Sequence, residues 1–92
     1  MNNEMDDFSV KPGFPNFFGL VGSAANKVES KKAPLSSMTP TIVFRKEKPY
    51  LITGSPGGST IISTVLQLLL NILIFDMEID EASKAKRIHH QW

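Results

Sequence analysis

The run from Ile61 to Phe75 (Ile-Ile-Ser-Thr-Val-Leu-Gln-Leu-Leu-Leu-Asn-Ile-Leu-Ile-Phe) constrains this chain more than any other stretch. At 15 residues it falls short of the roughly 20 apolar residues needed to cross a bilayer. Thr64, Gln67 and Asn71 recur at spacings of three and four, with Ser63 beside them. On a helix they form one narrow polar stripe, and the rest of the surface is apolar. Such a helix belongs inside a larger body. A chain of 92 residues holds one small domain at most and has little with which to cover both flanks. By itself it is expected to expose strand edges and much of this helix, and so to aggregate.

The stretch before the helix reads as sheet. Thr41-Ile42-Val43-Phe44 and Tyr50-Leu51-Ile52-Thr53 are apolar, partly β-branched runs separated by Arg45-Lys46-Glu47-Lys48-Pro49. Together they predict a β-hairpin over 41–53. The helix is predicted over about 59–75, and a second, short and charged, over about 78–86. The fold class is α+β. Ser9 to Pro34 is punctuated by prolines, glycines and asparagines, so a long irregular segment is expected, with a short helical turn around Ala24–Val28. Loops of this kind are often functional. Phe8, Phe14, Phe17 and Phe18 are expected to anchor it on a surface by ordinary aromatic packing.

Composition excludes several classes of function. There is no cysteine, which removes disulfides, thiolate metal sites and a cysteine nucleophile together. Net charge is +1, and Lys31-Lys32 and Arg45-Lys46 are short basic pairs, so the clustered basic stripe of a nucleic-acid binder is absent. The start, Met1-Asn2-Asn3-Glu4-Met5-Asp6-Asp7, is acidic and polar, unlike a signal peptide. Adjacent His89 and His90 lack the spacing of three or four that puts two zinc ligands on one helix face. No metal site is expected.

Three constellations can carry chemistry. Gly57-Gly58 lies between the second strand and the helix. Helix-start N–H groups lack intrahelical partners and sit at the positive end of the helix dipole. Aimed at a tetrahedral intermediate, adjacent N–H groups make an oxyanion hole; the alternative is a glycine turn that serves tight packing only. The carboxylates of Glu4-Met5-Asp6-Asp7 suit an ammonium group or form a solvated acidic terminus. The hydroxyls of Ser36-Ser37, between Pro34-Leu35 and Met38-Thr39-Pro40, suit a carboxylate or simply form a turn. Neither serine lies in a Gly-x-Ser-x-Gly elbow, which disfavours a serine nucleophile.

Together these pieces resemble the bacterial γ-glutamyltransferases. The resemblance rests on Asn3-Glu4-Met5-Asp6-Asp7-Phe8-Ser9, on Pro34-Leu35-Ser36-Ser37-Met38 with Pro40-Thr41-Ile42-Val43, on Gly54-Ser55-Pro56-Gly57-Gly58-Ser59 and on His89-His90-Gln91-Trp92. It runs from about Asn2 to Trp92 and makes residues 1–92 an incomplete portion of that family's small-subunit domain, with no separate domains. It implies the αββα sandwich of an N-terminal-nucleophile hydrolase. It also implies a self-cleaving precursor whose newly exposed threonine attacks the γ-glutamyl amide of glutathione or another γ-glutamyl compound. Water, an amino acid or a peptide then takes the γ-glutamyl group, with no cofactor. By position, Glu4 and Asp7 match the residues that hold the substrate α-amino group. Ser36 and Ser37 match the pair that hold its α-carboxylate beside a large-subunit arginine. Gly57 and Gly58 match the oxyanion pair.

The large subunit is the implied partner, the implied location is periplasmic or secreted, and neither nucleic acid nor membrane is implied. The nucleophilic threonine and an asparagine contacting the α-amino group are expected upstream of Asn2. Glu4 stands where many members have glutamine, Thr60 where arginine often follows the glycine turn, and Lys86 where proline is usual. The chain alone is therefore expected to be inactive, a substrate cradle without a nucleophile. The alternative is a non-catalytic gene remnant or a small binding protein. Coding sequence upstream of Met1, with or without the threonine in frame, distinguishes the two.

Overall fold

A computed structural model describes residues 7–34 and 38–91. The chain forms two compact units, Met1–Ser37 and Met38–Trp92.

The first unit is built from turns. It contains a 3₁₀ turn, Ala24–Asn26, shorter than the turn expected around Ala24–Val28. Ser9 bridges Lys27, and Pro15 bridges Val21. Ser9 N–H donates to Asn26 O at 2.8 Å, and Val28 N–H donates to Ser9 O at 3.2 Å. The Asn16 side chain closes the tightest loop by accepting from Phe18 N at 2.9 Å and Leu20 N at 3.0 Å, the local hydrogen bonding that suits asparagine to turns. Gly22 permits a close approach: a Cβ there would lie 2.6 Å from Ser9 Cβ.

The expected aromatic anchoring is corrected in part. Phe8 is half-buried, but Phe14, Phe17 and Phe18 are exposed, Phe17 to 92%. Phe17 and Phe18 meet edge to face at 5.3 Å, and Lys11 Nζ lies 3.6 Å from the Phe14 ring centroid. Polar turn geometry holds this unit together, not the packing of its phenylalanines.

The second unit opens with the hairpin of β1, Thr41–Arg45, and β2, Lys48–Thr53. Thr41 pairs Thr53, Ile42 pairs Ile52 and Val43 pairs Leu51, with a register shift after Val43. The shift accommodates Pro49, opposite Phe44, because proline has no N–H for a ladder. The turn is tighter than expected. Lys46 and Glu47 both take positive φ, 49° and 62°, as a two-residue type I′ hairpin requires.

After the hairpin, Gly58–Thr60 makes a 3₁₀ turn that leads into α1, Ile61–Leu73. The predicted start at Ser59 is thus helical but tighter than α. At the far end Asp76 turns left-handed at φ 51°, and Met77 N–H reaches back to Asn71 O at 2.9 Å. The short helix α2, Ile79–Lys84, carries Asp80 and Glu81 in its first turn and Lys84 in its last, charges that complement the helix dipole. The core is small: Leu51 of β2, Ile61 and Val65 of α1, and Ala82 of α2. Ile62, Leu66, Leu70 and Ile74 stay exposed, Ile62 to 71%. At spacings of four they form a bare apolar stripe. Among the described residues no helix is long and apolar enough to cross a membrane.

Candidate functional site

The glycine turn is the best-defined part of the candidate site. Gly57 takes φ 132° and Gly58 φ 59°, conformations that L side chains adopt only at a cost. A Cβ on Gly57 would also lie 2.7 Å from Thr60 Oγ1. The Gly57 carbonyl is tied down twice, by Thr60 N–H at 3.2 Å and by Thr60 Oγ1 at 2.8 Å. The N–H groups of Gly57 and Gly58 have no acceptor among the described residues. Both glycines are half-buried. Two consecutive free donors at a helix start, on a carbonyl-anchored turn, suit an oxygen that gains negative charge. Thr60 thus anchors the turn through both its backbone and its side chain.

The other predicted residues stand differently. Asp7 is exposed, and its carbonyl accepts from Asn26 Nδ2 at 2.7 Å. Glu4, Ser36 and Ser37 lie outside the described residues. Asp7 belongs to the first unit and the two glycines to the second.

Sequence reasoning missed a polar ladder along α1. Ser59 Oγ donates to Gln91 Oε1 at 2.6 Å, and Ser63 Oγ lies 2.9 Å from His89 Nδ1. The Gln67 amide holds Ile88 twice, donating to its carbonyl at 2.8 Å and accepting from its N–H at 2.9 Å. Ser63 Oγ also donates to Thr60 O at 3.0 Å. The polar stripe expected from Thr64, Gln67 and Asn71 is therefore used differently: Ser59, Ser63 and Gln67 receive the segment Ile88–Gln91. The spacing of four along 59, 63 and 67 was the available signal. Among the described residues no three His, Asp or Glu side chains gather as a metal site would require.

Comparison with known proteins gives a consistent result. A family model described as Gamma-glutamyltranspeptidase matches residues 1–92. The chain is 58% identical over 92 residues to the Glutathione hydrolase proenzyme of Escherichia coli (strain K12), covering all of this chain and 16% of that protein. A solved mutant of Helicobacter pylori Gamma-Glutamyltranspeptidase matches at 59% identity and TM-score 0.81, over 100% of this chain and 50% of that one. The Gamma-glutamyltranspeptidase of Pseudomonas nitroreducens complexed with L-DON matches at 49% identity and TM-score 0.79, over 99% and 47%. The chain thus spans a minor part of its curated relatives and about half of the solved chains.

Proposed function

This chain belongs to the γ-glutamyltranspeptidase family, and from that premise we propose that it supplies the glutamate cradle and oxyanion donors of a glutathione-cleaving enzyme. It acts as the middle of a small subunit, within an αββα sandwich completed by the rest of the precursor. A threonine hydroxyl upstream of this segment attacks the γ-carbonyl carbon of the substrate. The carbonyl π bond opens, and the oxygen becomes an oxyanion that accepts from Gly57 and Gly58 N–H. The C–N bond then breaks, the amine leaves with a proton, and a γ-glutamyl ester remains on the threonine. Water or an amino group takes the acyl group in the second half-reaction. Glu4 and Asp7 neutralise the substrate ammonium, while Ser36 and Ser37 donate to its carboxylate. The whole protein acts outside the cytoplasm, with the large subunit as its partner.

One observation carries this reading: two consecutive left-handed glycines at the start of the 3₁₀ turn leading into α1, their N–H groups free of acceptors among the described residues. Removing one oxyanion donor typically costs roughly 10²–10³ in kcat. The test replaces the matching segment of the Escherichia coli proenzyme with residues 1–92 and follows hydrolysis of a chromogenic γ-glutamyl anilide. The chimaera is expected to turn over and the isolated 92-residue chain is not. Gly57→Ala in the chimaera keeps its N–H but cannot hold φ 132° beside Thr60 Oγ1 without strain, so it misaims the donor and loses activity on that scale. Unchanged kcat in that variant, or glutathione hydrolysis by the isolated chain, overturns the assignment.

A further inference from the structure

The ladder on α1 ends at Ser59, the residue directly after Gly58. That adjacency raises the question of what holds the donors in one direction. Glycine permits the turn but does not stiffen it, because it reaches both signs of φ with little preference. An oxyanion hole works only when its donors are already aimed, so that no reorganisation is needed as charge develops. The Thr60 bonds fix the carbonyl of Gly57. Because Gly58 N–H shares the planar peptide unit of that carbonyl, they aim it too. This anchor is only as steady as the turn Gly58–Thr60 that bears Thr60, and Ser59 is the middle residue of that turn.

We propose that Ser59 and Gln91 are positioning residues for the oxyanion donors, and that Ile88–Gln91 is a clasp fixing the 3₁₀ turn Gly58–Thr60 against α1. The proposal rests on the reading of Gly57 and Gly58 as donors. It is carried by the match of two lengths. From Ser59 to Gln67 is eight residues, about 12 Å along a helix at 1.5 Å per residue. From Ile88 to Gln91 is three residues, about 10 Å of drawn-out chain. The segment runs antiparallel to the helix, with Ile88 on Gln67, His89 on Ser63 and Gln91 on Ser59.

Only a nearly extended segment reaches all three rungs, so the clasp has one register. Gln67 sets that register by gripping main chain, with its amide standing in for a neighbouring strand. Gln91 then delivers its side-chain oxygen to Ser59 Oγ. The segment itself lies outside helix and strand, so these side-chain bonds are its tether among the described residues. Neither Ser59 nor Gln91 touches substrate in this scheme; both act through the turn Gly58–Thr60, whose Thr60 anchors the donor-bearing peptide.

The test uses the same chimaera and separates turnover from stability. Ser59→Ala and Gln91→Ala are each expected to lower kcat roughly tenfold to a hundredfold, the scale of a misplaced group. KM and the thermal midpoint should stay unchanged. The double variant should be no worse than either single one, as two ends of one bond require. Ser59→Thr keeps the hydroxyl and restores kcat. Unchanged kcat in both alanine variants overturns the clasp, and so does a lowered midpoint with kcat per folded enzyme intact. If Ser59→Ala fails to fold, Gln91→Ala with Ser59→Thr decides the matter by the same readings. Gly57→Ala is the control. Its collapse beside an unaffected Ser59→Ala removes the clasp alone, whereas an unaffected Gly57→Ala removes the donor reading and the clasp with it.

Discussion

The two units of this chain hold their shape by different means. Among the described residues of the first unit no side chain is buried; its form comes from Asn16, the Ser9–Asn26 and Ser9–Val28 bonds, and the close pass of Gly22. The second unit has a small core on Leu51, Ile61, Val65 and Ala82, with a polar ladder laid along one face of its helix. The contrast teaches what each kind of region can tolerate. A turn-built region fails where backbone is crowded. A core-built one fails where volume is lost.

The largest expected effect is in the core. Ile61→Ala removes a side chain that is only 3% exposed and should cost about 2–5 kcal/mol, read as a lowered thermal midpoint of the chimaera. A cost below about 1 kcal/mol, less than core truncations of this kind lose, would break the comparison, since Ile61 would then not be holding the second unit. Next comes Gly22→Ala, whose new methyl would meet Ser9 Cβ at 2.6 Å. Crowding of this kind costs about 1–3 kcal/mol. Faster hydrogen exchange at Ser9 and Gly13, with α1 protection intact, is the expected sign.

Gln67→Ala removes both bonds to Ile88 and should cost about 1 kcal/mol, as exposed hydrogen bonds do. Its signature is a several-fold faster exchange of the Ile88 amide. An unchanged Ile88 amide would mean the ladder does not grip main chain.

The smallest effect is electrostatic. The Lys27 and then the Lys32 ammonium, each bonded to Glu29, hold its carboxyl below the ordinary value. A depressed folded value means that the stabilisation is present above the unfolded carboxylate range and lost as pH falls through the folded value. The group is fully exposed, so salt should weaken the effect. Titration of the Glu29 carboxyl by NMR should show a lowered midpoint in low salt that rises toward normal as salt is added.

Much of the second unit was legible in the sequence because its signals are local. β-branched runs marked both strands of the hairpin, and the apolar run marked α1. The hairpin turn is shorter than the sequence suggests because Lys46-Glu47 carries neither glycine nor asparagine, though both residues take positive φ. The phenylalanines of the first unit read as packing residues by their type, yet the Asn16 side chain, the Ser9 backbone bonds and the close pass of Gly22 order it. Gly57-Gly58 stood out because glycine before a helix has few physical meanings. The ladder did not, since serines and a glutamine facing a distant segment acquire their role only when the chain folds back. Glu4, Ser36 and Ser37 rest on resemblance alone.

The two-point grip of Gln67 on Ile88 has a consequence for how such a segment can drift over generations. Because it is the main chain that is held, Ile88 can be exchanged for almost any residue with an N–H. Inserting or deleting one residue between α2 and Ile88 only lengthens or shortens a connector. One residue gained or lost between Ile88 and Gln91 is different. It throws the last rung out of reach of Ser59, so Ile88 tolerates substitution freely while its spacing to Gln91 tolerates hardly any change of length.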